Sequence, residues 1–128
     1  MKQFKWIIIP IIIAAYISVS FDDGDDKNWN DCVEKYKSEW GQPIKGCTYN
    51  NKIYKAYYRN ICDENIDVLI STMNKDNVWE CFYKENMAPN DTLMIYTCNG
   101  TGSTLIWVKK AGDKEIVFPT CEEVNNEY

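Results

Sequence analysis

Hydrophobic and polar positions change rhythm along the chain. Between Asn28 and Gly41, Trp29, Val33, Tyr36 and Trp40 recur at i, i+4, i+7 and i+11, one apolar stripe of a helix. Asp31 followed by Glu34 has the spacing of a capping box, and Gly41 with Pro43 supplies a stop, so a helix is expected here. From Asn50 onward the period falls to two, with turn residues between the runs. Six short strands are expected: Ile53–Asn60, Ile66–Thr72, Val78–Lys84, Thr92–Cys98, Thr104–Lys109 and Glu115–Phe118. Turns are expected at Asn74–Asn77, Ala88–Asp91, Asn99–Gly102 and Ala111–Lys114. The fold class is therefore mainly β (α+β): a small antiparallel meander or sandwich with one N-terminal helix.

Strand alternation assigns faces. Ile66, Val68 and Ile70 share one, Trp79, Cys81 and Tyr83 another, and Met94, Tyr96 and Cys98 a third. Folding Val78–Lys84 onto Thr92–Cys98 about Pro89 brings Cys81 and Cys98 opposite each other, so a Cys81–Cys98 bridge is expected. The opposite face carries Tyr57, Leu69, Phe82, Leu93, Ile95 and Trp107, too apolar for a solvated surface. Either the N-terminal helix covers it, or it is partly open and binds something. In the second case Tyr57, Phe82 and Trp107 form the candidate binding face, flanked by Lys55, Arg59 and Lys109.

The start of the chain breaks both rhythms. Lys2 and Lys5 precede sixteen uncharged residues, Trp6–Phe21, and Ser18 and Ser20 suit cleavage after Ser20. This is the pattern of a secretory signal peptide over residues 1–20; left uncleaved, it would be a membrane anchor, though the run is short and Pro10 interrupts it. Residues 21–28 read as an acidic flexible lead-in, and 29–128 as one disulfide-rich domain, secreted, periplasmic or at the cell surface. Asp26, Asn28 and Asn30 have the opening spacing of a calcium loop, but Asp31 and Lys37 occupy its glycine and glutamate positions, so no metal is expected.

Composition narrows the function. Six cysteines (Cys32, Cys47, Cys62, Cys81, Cys98, Cys121) lie beyond the leader with no C-x-x-C pair, which indicates three bridges rather than a zinc site. Without histidine the chain has no Ser-His-Asp or Cys-His catalysis, and no cofactor is expected. A net charge of −5 argues against nucleic acid. An enzyme would have to use carboxylates; of Asp63, Glu64, Asp67, Glu80 and Glu85, the strand pair Asp67 and Glu80 is the candidate for a small hydrolase. Asn90-Asp91-Thr92 and Asn99-Gly100-Thr101 are N-glycosylation sequons, making Asn90 and Asn99 candidate acceptors.

The leading expectation is a secreted, monomeric, non-enzymatic binding module. Its partner would be an extracellular protein or glycan, or an extracellular enzyme inhibited through the Ala88–Asp91 or Asn99–Thr104 loop. The alternatives are the carboxylate hydrolase and a structural surface component that associates through strand edges.

Overall fold

A computed structural model describes residues 27–48 and 52–128. The leader and most of the acidic lead-in lie outside the described residues. Six strands form: β1 (Val33–Trp40), β2 (Tyr54–Asn60), β3 (Ile66–Asn74), β4 (Trp79–Met87), β5 (Thr92–Thr97) and β6 (Gly100–Lys110). A 3₁₀ turn (Trp29–Cys32) precedes them, and the helix α1 (Cys121–Glu127) follows.

The strands make two three-stranded antiparallel sheets, in the orders β1-β2-β5 and β4-β3-β6. This is not a simple meander. Only β3 and β4 pair as a tight hairpin; β5 returns to the first sheet and β6 to the second. The sheets share one core, in which Tyr54, Ala56 and Tyr58 of β2 meet Ile66, Val68 and Ile70 of β3, with Met87, Ile95 and Val108. Each fully buried aliphatic side chain here contributes about 1.5–3 kcal/mol. Asn60 is wholly buried among them, and its side chain is satisfied: Nδ2 donates to the carbonyls of Glu64 and Met87, and Oδ1 accepts from the Cys62 N–H.

The expected N-terminal helix is a strand, and the helix lies at the C-terminus. The reason is a bulge. Val33 and Trp40 are seven residues apart, which places them on one face of a helix but on opposite faces of a regular strand. The β1–β2 register shifts between Lys35 and Lys37, so Tyr36 is an extra residue, and Val33 (opposite Asn60) and Trp40 (opposite Tyr54) both end on the inner side. The Asp31–Glu34 capping box does not form; Asn28 caps the 3₁₀ turn instead. A true capping box joins Thr120 and Glu123 at the start of α1.

The two middle strands differ in burial. In β2, buried and half-buried residues alternate, as in a sheet with one face outward. In β3, seven consecutive residues from Ile66 to Thr72 are buried, so both faces of the second sheet are covered. The C-terminal segment supplies the second cover. Residues 111–120 have no regular structure and cross the outer face as a strap that leads into α1. Glu115–Phe118, expected as a strand, lies over the sheet rather than along an edge and has no ladder partner; the Ile116 carbonyl accepts instead from the Lys109 ammonium at 2.7 Å.

All six cysteines pair, as Cys32–Cys62, Cys47–Cys98 and Cys81–Cys121. The expected Cys81–Cys98 bridge is overturned because β4 and β5 do not form a hairpin: β4 pairs with β3, and β5 with β2. Cys81 lies opposite Ser71 on the outer side of the second sheet, where it reaches Cys121 at the start of α1. No helix among the described residues is long and apolar enough to cross a membrane.

Candidate functional site

The three residues of the expected binding face are not brought together. Tyr57 lies on the outer side of the first sheet, where its hydroxyl donates to Glu39 (3.0 Å) and its ring meets Tyr36 at 6.1 Å. Around it, Arg59 pairs with Glu34 (3.0 Å) and Lys37 with Glu39 (3.2 Å), so its polar neighbours are already engaged. Lys37 is held above and Glu39 below their ordinary pKa values, chiefly by the hydrogen bond between them. Phe82 packs at the seam between the sheets, 5.6 Å from the Tyr96 ring and against the core. Trp107, opposite Leu69 on the outer side of the second sheet, is half-buried with Tyr128 edge-on at 5.7 Å. The cover over Trp107 is therefore the C-terminal segment, not an N-terminal helix.

Asp67 and Glu80 are also separated. Asp67 sits on the outer face of the second sheet. Its register puts Glu80, opposite Thr72, on the other face, where it accepts from Thr97 Oγ1 and Asn74 Nδ2, both at 2.9 Å. Asp67 is buried, and its carboxylate ties two backbone segments together. It accepts the N–H of Asn86 (2.8 Å), in the bulge of β4, and that of Gly112 (3.2 Å), at the start of the strap. Among the described residues no three His, Cys, Asp or Glu side chains are grouped to hold a metal ion.

The sequons separate as well. Asn90 is exposed at the tip of the turn between β4 and β5, whereas Asn99 is half-buried with its Oδ1 buried and unpartnered. The Ala88–Asp91 loop is a rigid turn closed by Asp91 N–H to Ala88 O (3.0 Å) and tied to Asn60 O through the Asn90 N–H (2.8 Å). Most of Asn99–Thr104 is the beginning of β6.

The concave feature lies elsewhere, between the outer face of the second sheet and the strap. It is a groove of about 670 Å³. Leu69 and Tyr83 form its floor, Ile116, Phe118 and Pro119 its far wall, and Asp67 and Glu85 one end. The strap is pinned at both ends, by Gly112 to Asp67 and by Cys121 to Cys81, and midway by Lys109 to Ile116. Phe118 stands edge-on to Tyr83 at 6.0 Å and carries the Lys109 ammonium 4.9 Å from its centroid. Tyr83 donates to Glu85 at 3.1 Å; loss of water against the strap, and then Glu85 itself, hold its phenol above the ordinary value. Ile116 and Val117 remain exposed, Val117 by 83%. Two features of the sequence point to this site: the Val68–Ile70 run, which is apolar on both faces and needs cover on both, and an apolar Ile116–Phe118 segment followed by a cysteine.

These features define a small, disulfide-stapled, mostly β protein whose second sheet is overlaid by its own C-terminal strap. No family model, curated protein or solved structure matches the chain.

Proposed function

We propose that the chain is an exported, non-enzymatic binding module, and that its ligand is a small molecule with an apolar body held in the groove under the strap. The observation that carries this reading is the groove itself: about 670 Å³, within the range of small-molecule sites, with an apolar floor and a few polar groups at one end. A strap pinned at both ends admits a small molecule or a chain end from the side, and excludes a folded loop. Export is supported by the leader pattern and by three bridges, which persist in oxidising compartments. The edge strand β1 carries Glu34, Lys35, Lys37 and Glu39 and is bulged, features that oppose edge-to-edge assembly and favour a binding role over a self-associating one.

The test is an NMR titration of the fully bridged chain with indole, cyclohexanol and N-acetylglucosamine. The proposal expects saturable shifts at the amides of Leu69, Tyr83 and Ile116–Cys121 with indole or cyclohexanol. Shifts from the sugar confined to Tyr36 and Tyr57 would move the site to the outer face of the first sheet. If the groove amides stay unmoved across the panel, the groove is not the site.

A further inference from the structure

Two sequons lie in one small chain, and the fold treats them differently. Asn90 stands at the tip of the tight turn after β4, at φ +69°, a conformation that asparagine tolerates better than most residues. Its backbone is fixed, because its N–H donates to the buried Asn60 carbonyl, while the residue itself is exposed. Thr92, the third residue of the sequon, is exposed too. Asn99 has the opposite environment. It follows Cys98, bridged to Cys47, and its side-chain oxygen is buried. A Cβ on its neighbour Gly100 would lie 2.6 Å from Tyr54 Cβ and 2.7 Å from Thr97 Cγ2, so the chain around it is packed to contact.

We propose that Asn90 is an N-glycosylation site of the exported protein and that Asn99, despite its sequon, is not occupied in the folded chain. The inference rests on the export reading, since the modification needs a secretory compartment. The donor is a lipid-diphosphate-linked oligosaccharide, and the catalyst is the host's oligosaccharyl transferase. Asn90 Nδ2 attacks the anomeric carbon; a C–N glycosidic bond forms and the sugar–phosphate C–O bond breaks. The lipid diphosphate leaves with the bonding pair, and one Nδ2 proton passes to a base of the transferase. None of residues 88–92 lines the groove, so a glycan at this turn leaves the strap site open. A sugar on Asn99 would have to displace packed backbone beside a bridge, and a chain carrying it would not reach this fold.

The experiment is expression of the full chain in a eukaryotic secretory cell. The released protein is freed of glycan by an amidase that converts each glycosylated asparagine to aspartate, and its peptides are weighed. The expected result is conversion at Asn90 and none at Asn99. Thr92→Ala, which leaves Asn90 untouched, should abolish the glycan without abolishing secretion, and Asn90→Asp should do the same. Secreted, fully bridged protein with Asn90 unmodified, or with Asn99 converted, overturns the proposal. Chain retained in the cytosol with its leader intact overturns the export reading, and this inference with it.

Discussion

Removing the Cys81–Cys121 bridge, through the paired substitution Cys81→Ser and Cys121→Ser, tests what holds the strap. The two cysteines are 40 residues apart. The Cys47–Cys98 bridge offers no shorter covalent route between them, because the path from Cys81 through Cys98 to Cys121 is the chain itself. Loop-closure entropy for this separation gives a restraint worth about 4 kcal/mol at 25 °C. Without it the C-terminal segment keeps a short set of contacts. Val124, the one fully buried side chain of α1, contributes about 1.5 kcal/mol. Asn125 exchanges two hydrogen bonds with the Trp79 backbone (2.7 and 3.0 Å), each worth about 1 kcal/mol net. Ordering residues 111–120 alone costs about 1–2 kcal/mol per residue, which exceeds that total. The strap should therefore detach while the core between the sheets stays folded. Hydrogen exchange should show lost protection at Val124 and Tyr128 with protection retained at Val68 and Ile70. Trp107 should become accessible to a soluble fluorescence quencher, and urea stability should fall by up to about 4 kcal/mol. Unchanged protection at Val124, with an unchanged urea midpoint, would refute the reasoning and assign the strap to its non-covalent contacts.

Three further outcomes follow from the fold. Asn60→Ala strands the carbonyls of Glu64 and Met87 and the N–H of Cys62, and should cost about 2–4 kcal/mol in urea unfolding; a loss below about 1 kcal/mol would mean that water replaces the side chain. Gly100→Ala places a Cβ inside contact distance of Tyr54 and Thr97, and should destabilise by about 1–3 kcal/mol, whereas the same change at Gly112, where nothing lies within 4 Å, meets only the backbone cost of its φ of +81°. Burial holds the Tyr58 phenol above its ordinary value of 10.0, outweighing the Thr104 hydrogen bond and the Lys35 charge. The folded chain thus keeps a proton that the unfolded chain releases, so this contribution is whole below pH 10 and is lost as pH rises through the folded value; denaturation midpoints and phenolate absorbance on either side of pH 10 should show it, and a flat profile would count against it.

Five of the six expected strands are present to within a few residues, because each buries alternate side chains against a partner sheet and so writes a period of two into the chain. β2 is the clearest case: Tyr54, Ala56, Tyr58 and Asn60 point inward, with Lys55, Tyr57 and Arg59 between them. Three things were not legible. The bulge at Tyr36 gave β1 a seven-residue spacing that mimics two helical turns. The pairing of β5 with β2 rather than β4 depends on long-range contacts that leave no local trace, and the bridge pattern and the faces of Phe82, Ile95 and Leu93 depend on it. The groove was hidden for a related reason: Ile116–Phe118 has the composition of a strand, and only the sheet beneath it determines that it crosses a face rather than joins an edge.

The way the strap is held bears on why a groove exists under it. A layer that covers a sheet by packing alone must bury many apolar side chains, and interiors packed in that way leave few voids larger than a water molecule. The C-terminal segment does not do this. Ile116 and Val117 stay exposed, and Val124 alone is fully buried. Its attachment is instead covalent at Cys121, ionic and polar at Lys109, and through hydrogen bonds to Asp67 and Trp79. Such anchors fix where the strap lies without filling the space below it, so Leu69 and Tyr83 face a volume that a packed layer would have closed. A covering segment pinned at its ends and underpacked between them is costly in a domain of this size unless something enters the gap. Filling it from within, by Leu69→Phe on the floor or Ile116→Phe on the wall, would be expected to stabilise the chain and to abolish indole and cyclohexanol shifts together. Stabilisation with the probe shifts intact would place the ligand outside the groove.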